Sequence, residues 1–171
     1  MSYFPFFKEI EGEKCLVIGG GKVAARKISR LKEFGVKIKV VAPSIVSDIE
    51  AMAQACDNIS VERRIITPQD IENADFVIAA AGEEADKEAA RLCKERSIPV
   101  NVVDNQELCD FIFPSIIRKG DMVAGFVTGG KSPHVAAKIR RDCEMNISDN
   151  IEDILDYLAR IRKLAKDRIS D

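Results

Sequence analysis

Through its first two thirds the chain alternates short apolar runs with helical periodicities. Cys15-Leu16-Val17-Ile18 reads as a buried strand. From Lys22 to Phe34 the residues Ala24, Ile28 and Leu31 fall on one helical face, and Gly35 stands where such a helix stops. Val36, Ile38 and Val40 then alternate with lysines, the period of a strand. A helix is predicted over Asp48 to Cys56 with Ser47 as its cap. A strand is predicted from Ile59 to Ile65, and Thr67-Pro68 supplies a cap followed by proline at a first helical position. Phe76 to Ala81 reads as a strand, Glu84 to Arg96 as a helix and Ile98 to Val103 as a fifth strand. Strand alternating with helix implies a parallel sheet covered on both faces.

After about residue 110 the pattern changes. Phe111 to Ile117 and Met122 to Thr128 are two β-like runs around Arg118-Lys119-Gly120-Asp121, which predicts a hairpin. Gly129-Gly130 follows, and Ser132-Pro133 opens a basic helix. The last segment, Asp149 to Arg168, is amphipathic through Ile151, Ile154, Leu155, Leu158 and Ile161, with its acids early and its bases late. That apolar stripe and the second face of the hairpin each need cover. A homodimer is the expected source, packing within one chain being the alternative.

Composition narrows the class. The 171 residues suffice for one domain with a small appendage. Charges nearly balance, 26 basic against 28 acidic, which argues against a general nucleic-acid binder. No apolar stretch approaches the roughly 20 residues that span a bilayer. The segment Met1 to Phe7 is short and broken by Pro5, unlike a signal peptide, so a cytoplasmic location is expected. Five cysteines without a C-x-x-C pair suggest reduced, mostly buried thiols and no resident metal.

Gly19, Gly21 and Ala24 fit G-x-G-x-x-G/A between the first strand and the first helix. The first glycine permits a tight turn, the second lets backbone approach a pyrophosphate, and the alanine keeps helix close to sheet. The helix start, at Lys22 and Val23, offers amide N–H groups to phosphate. A nicotinamide dinucleotide is therefore the expected cofactor. The second strand ends in Ala42-Pro43-Ser44, without the acid that usually accepts bonds from the adenosine ribose. The Ser44 hydroxyl can replace it, and no arginine stands there for a 2′-phosphate, which favours NAD over NADP. Ala80 and Ala81, small residues ending the fourth strand, leave room for the cofactor across the strand ends.

Asp104 lies where the fifth strand gives way to a loop, at the same sheet edge as the glycine turn. Its position suits a general base beside a hydride acceptor, and equally a turn-forming Asp before Asn105. Between residues 114 and 145 six basic residues face three acidic ones, so a polyanionic substrate is plausible chemistry there, although a solvated helix face explains most of the lysines. His134 is the single histidine, too few for a metal site.

The stretches "FPFF", "VIGGGKVAARK", "VVAP", "FVIAA", "IPVNVVDNQELCDFIFPSII" and "VTGGKSPHVAAKIRR" occur in this order. With them the chain resembles the precorrin-2 dehydrogenase family, the amino-terminal part of siroheme synthases, over about residues 1–145. The resemblance implies an α/β fold: a Rossmann-type parallel sheet over 1–113, a β-hairpin and helix dimerisation and substrate region over 114–145, and a short helical tail over 146–171. It implies NAD-dependent oxidation of precorrin-2, a tetrapyrrole bearing carboxylates, to sirohydrochlorin. In some members the same site then acts as a ferrochelatase, taking ferrous iron as a substrate. The family's catalytic aspartate falls on Asp104, and its cofactor contacts on Lys22, Val23, Pro43 and Ser44. Asn101, Thr128, Gly129, Gly130, Lys131, Ser132 and His134 are the expected substrate contacts. Relatives carry a modifiable serine where this chain has Val127 and Thr128. No methyltransferase segment follows, so the step that makes precorrin-2 is expected elsewhere. Two other classes compete: a non-catalytic NAD-sensing dimeric module, which has no use for Asp104, and a dehydrogenase of another small molecule, which usually brings a larger substrate domain.

Overall fold

The computed structural model describes residues 3–169. The chain forms two compact units, one of Phe4–Phe113 and one of the residues from Pro114 onward together with Tyr3.

In the first unit, β1 (Lys14–Ile18), β2 (Lys37–Val41), β3 (Ile59–Glu62), β4 (Phe76–Ala79) and β5 (Val100–Val102) make one parallel sheet in the order β3-β2-β1-β4-β5. The helices α1 (Lys22–Leu31), α2 (Ser47–Ala55), α3 (Pro68–Glu72) and α4 (Glu83–Glu95) connect them. Period-two alternation sorts each strand between two cores. Cys15 and Val17 of β1, with Phe76 and Ile78 of β4, face Ala24, Ile28 and Ile49. Leu16 and Ile18, with Val77 and Ala79, face Ile71, Ala89 and Cys93. The sheet is thus covered on both faces, as the apolar runs imply. The five cysteines are all free, and burial pushes the Cys93 thiol up to about 11.

Element ends differ from the sequence pattern in instructive ways. The first helix tightens into a 3₁₀ turn at Lys32–Phe34 before Gly35, which takes the left-handed conformation with φ 69°. Ser47 is the first residue of α2, not its cap; Val46 holds that position without a side-chain bond. Strand β3 stops at Glu62, because Arg64 turns back to pair with Asp70, 2.6 Å away. Thr67 and Asp70 make the reciprocal capping box that Thr67-Pro68 announces.

In the second unit, β6 (Ser115–Lys119) and β7 (Met122–Phe126) pair antiparallel as the expected hairpin. They are followed by α5 (Pro133–Met145) and α6 (Ile151–Ile169). Lys119 reaches Asp149 at 3.1 Å and the Ile147 carbonyl at 3.2 Å, tying the hairpin to the start of α6. Most of α6 is exposed, including Ile154, Leu155, Tyr157, Leu158, Ile161 and Leu164. Among the described residues no helix is long and apolar enough to cross a membrane.

Candidate functional site

The glycine turn joins β1 to α1. Gly19 has φ 115°, and a Cβ there would collide with the Ala80 carbonyl at the end of β4. A Cβ on Gly20 would strike the Ser44 carbonyl after β2, and the Gly20 carbonyl accepts from Val46 N at 2.9 Å. These two glycines let three strand ends converge. Gly21 is different. Its backbone is extended, with φ −86°, and an added Cβ would meet nothing within 4 Å. The protein's own packing does not need a glycine there. A ligand pressed against the backbone would.

Gly21 caps α1 without a side-chain bond, and the first turn of α1 holds no acid. Among the described residues, α1 alone of the six helices combines both features. The others carry acids in their first turns or, in α5, the Ser132 hydroxyl as cap. The amides of Lys22, Val23 and Ala24 therefore stay available to an anion. This turn fits a dinucleotide. Gly21, Lys22 and Val23 would hold its pyrophosphate, and Pro43 and Ser44, both exposed beside Gly20, would border its adenosine half.

A cavity of about 550 Å³ opens beside this turn, lined among others by Val23, Ala80, Gly82, Asp86, Asp104 and Asn105. It joins the start of α1, the end of β4, the start of α4 and the loop after β5. Ala81, expected to border the cofactor, sits next to it with its N–H spent on the Asp86 carboxylate at 2.8 Å. Asp104 is exposed, and its φ of 58° places it in the left-handed region, unusual for a residue with a side chain. A sharp turn after β5 thus puts Asp104 on the border of this cavity.

The sequence model of the family described as "Putative NAD(P)-binding" matches residues 6–115. The chain belongs to this family. Siroheme synthase of Nitrosomonas eutropha is 35% identical over 171 residues, covering 99% of this chain and 36% of the relative. Siroheme synthase of Thioalkalivibrio sulfidiphilus is 37% identical over 172 residues, covering 100% and 35%. The chain spans about a third of the length of these curated relatives. A solved structure titled "SirC, precorrin-2 dehydrogenase" superposes with a TM-score of 0.73 at 23% identity, over 95% of this chain and 80% of that one. The fold of that dehydrogenase is therefore shared along nearly the whole chain. By sequence the chain is similar to siroheme synthases over about a third of their length, and by fold to the dehydrogenase structure, in line with the resemblance that its motifs carry.

Within this NAD(P)-binding unit two polar side chains near the turn have other work. Lys39, near in sequence to the adenosine side, is held by Asp70 at 2.9 Å and Glu62 at 3.0 Å. Asn101, expected to touch substrate, is instead 5% exposed. Its Oδ1 accepts from Lys27 Nζ at 2.9 Å, and its Nδ2 donates to the Phe111 carbonyl at 2.9 Å. The reason is parity: on β5, position 101 faces the α1 side of the sheet and not the strand end. Lys27 also lies over the Phe113 ring, 4.3 Å from its centre. Burial pushes its ammonium down to about 8, with Arg26 adding to the drop and Asp104 opposing it.

Asp86 is a site residue that the sequence pattern did not single out. It looks like one more acid at a helix start. Yet it is 5% exposed and accepts from Ala81 N and Gly82 N. Burial raises its carboxyl above the usual range against those two N–H donors, and the charge of Asp104 adds to the rise.

The remaining expected substrate contacts belong to the second unit. Gly129 and Gly130 are both left-handed, with φ 62° and 77°. The Thr128 hydroxyl bridges this turn, donating to the Ser132 carbonyl at 2.9 Å and accepting from Ser132 N at 3.2 Å. The Ser132 hydroxyl accepts from Val135 N at 3.3 Å and caps α5. Lys131 and His134 are exposed. Much of the local positive charge is spent on ion pairs: Lys138 with Asp142 at 2.6 Å, Arg140 with Glu144, and Lys119 with Asp149.

Proposed function

We propose that the chain binds NAD at the glycine turn and oxidises precorrin-2 to sirohydrochlorin, with Asp104 as general base. The observation that carries this reading is the shared cavity, in which the start of α1 and the Asp104 carboxylate border one space. The likeness to siroheme synthases over their first third supports the substrate class. NAD, when bound, accepts the hydride. Asp104 takes the proton lost with it, so two hydrogens leave the macrocycle, one as hydride and one as a proton. Because extended conjugation favours the product, the protein's task is mainly to hold donor, acceptor and base in register. NAD is preferred to NADP, since Pro43 and Ser44 offer no cation for a 2′-phosphate and Lys39 is committed to Asp70 and Glu62.

Two finer parts complete the proposal. Iron insertion uses the same carboxylate, which takes pyrrole N–H protons as ferrous iron, a substrate, enters. A second copy of the chain covers the apolar residues that α5 and α6 expose, Val135, Ile139, Leu158 and Ile161 among them, and the substrate's carboxylates meet Lys131 and His134.

The test is anaerobic incubation of precorrin-2 and NAD with the wild type and with Asp104→Ala, followed by absorbance. Loss of a general base costs about 10²–10⁴-fold. An unchanged rate removes Asp104 from the reaction. Adding ferrous iron afterwards separates the two activities: a spectrum that halts at sirohydrochlorin leaves the dehydrogenase alone.

A further inference from the structure

Strand β5 is one of the two edge strands of the sheet, so one side of it has no strand to pair with. The returning segment Cys109-Asp110-Phe111 supplies partners instead. Asp110 N donates to the Val100 carbonyl at 2.9 Å, and Val100 N donates to Asp110 Oδ2 at 3.0 Å. At the next outward position the Cys109 thiol does the same for Val102. Val102 N donates to Sγ at 3.1 Å, and the Val102 carbonyl lies 3.2 Å from it as an acceptor. The Asn105 carbonyl is a second acceptor at 3.3 Å. Having one hydrogen, the thiol donates to one of these carbonyls at a time. Asn101 Nδ2 also points at the sulfur, at 3.6 Å.

These partners bracket Asp104. Val102 is two residues before it, and Asn105 is the residue after it. Between them the chain must hold Asp104 at φ 58°, a conformation that costs an L residue free energy and that its surroundings must impose. The bracket is anchored inward as well, since Asn101 accepts from Lys27 of α1, the helix whose start faces the cofactor.

We infer that Cys109 is a positioning residue for the reaction: its thiol, acting as a stand-in strand partner for Val102 and a clasp on Asn105, holds the Asp104 carboxylate in its left-handed pose over the cavity. This role rests on Asp104 being the base, as proposed above. Burial raises the Cys109 thiol above its ordinary value, so near neutral pH it keeps the hydrogen that the clasp needs.

A double-mutant cycle tests it, with precorrin-2 oxidation by NAD as the readout. Cys109→Ala is expected to lower kcat by about 10–100-fold, the scale set by ångström-level misplacement of a reacting group. NAD affinity and the KM for precorrin-2 are expected to stay within about threefold, well short of the tenfold that 1.4 kcal/mol would bring. In the Asp104→Asn background the same substitution is expected to cost nothing further. Cys109→Ser keeps a donor and an acceptor but reaches less far, O–H···O bonds preferring about 2.7–2.8 Å. It is expected to lose only a few-fold in kcat, again only when Asp104 is present, and it carries the test should the alanine variant not fold. Equal losses with and without Asp104 overturn the inference and make the thiol merely structural. A wild-type kcat in both Cys109 variants overturns it as well. A wild-type rate in Asp104→Asn removes the base assignment itself, and the positioning role falls with it.

Discussion

The first unit builds the same junction twice, at β1 to α1 and at β4 to α4, and leaves the two ends in opposite states. Each strand runs into a glycine with φ 115°, Gly19 in one case and Gly82 in the other. Each helix then starts at the carboxyl edge of the sheet, where parallel α/β folds hold ligands. The start of α1 is bare, with no side-chain cap and no acid in its first turn. The start of α4 is filled: the Asp86 carboxylate accepts from Ala81 N and Gly82 N, and Glu83 and Glu84 stand beside it. A helix end attracts negative charge, whether from a ligand or from the chain itself. The chain places its own carboxylates at one end and none at the other. The lesson is that two glycine-marked turns in one sheet do not make two anion sites.

Making α1 resemble α4 should have the largest effect. Gly21→Asp places a carboxylate at the bare end. Its backbone is already extended and a Cβ there has open space, so the fold tolerates it. An Asp at this capping position is at least as good as glycine for the helix. Two unit charges at 4 Å and an effective dielectric near 20 interact by about 4 kcal/mol, so NAD affinity is expected to drop by roughly 100-fold or more. Calorimetric titration with NAD reads the loss, and a thermal melt should show the variant as stable as the wild type. Full affinity in the folded variant would mean that the pyrophosphate lies elsewhere.

The converse change, Asp86→Asn, should have a smaller effect of opposite sign. It removes negative charge at greater distance from the α1 end, and about 1 kcal/mol of repulsion relieved strengthens NAD binding by roughly 3–10-fold. It also leaves a pH signature. The folded-state value of Asp86 is raised above its ordinary 3.8, so the native state holds that proton more tightly than the unfolded chain. Stability from this group is therefore present at low pH and is lost as pH rises from 3.8 through the raised value. The difference in denaturant midpoint between wild type and Asp86→Asn should move in favour of the wild type as pH falls through that window. A difference that is flat with pH would mean that Asp86 titrates like an exposed acid.

How much of this could be read in advance follows the range of each interaction. The sheet, the glycine turn, the Thr67 cap and the Ser132-Pro133 helix start rest on residues within one or two turns of each other, and periodicity reports such neighbours. Asp104 was legible as a carboxylate at a strand end, but strand position alone left it equally a turn former. What decides its setting is the left-handed backbone and the Cys109 clasp, and neither leaves a mark in hydrophobic spacing. Asn101 went astray for a related reason. Its neighbours in sequence suggested the site, while its partners Lys27 and Phe111 are brought to it by the sheet from 74 and 10 residues away. Asp86 was hidden in plain composition, because acids at helix starts are common and only burial distinguishes this one. Ser47 failed as a cap because Val46 already occupies the extended position before α2.

A third helix end gives the smallest effect and sharpens the comparison furthest, since α5 begins at a hydroxyl, neither bare nor acidic. Ser132 was expected to touch substrate, yet its Oγ accepts from Val135 N at 3.3 Å in the geometry of an N-cap. Pro133 at the first helical position presets the turn, and Thr128 holds the backbone of Ser132 from the other side at 2.9 and 3.2 Å. Removing the hydroxyl by Ser132→Ala leaves that clasp in place, because Thr128 bonds only the Ser132 backbone. The expected cost is about 1 kcal/mol of stability, the usual worth of such a cap, read as a shift in denaturant midpoint at constant slope. The KM for precorrin-2 should then stay within about twofold, since 1.4 kcal/mol of lost binding would change it tenfold. Unchanged stability with a raised KM would reverse the assignment: the hydroxyl would belong to the substrate, and α5 would join α1 as a second helix end kept for a ligand.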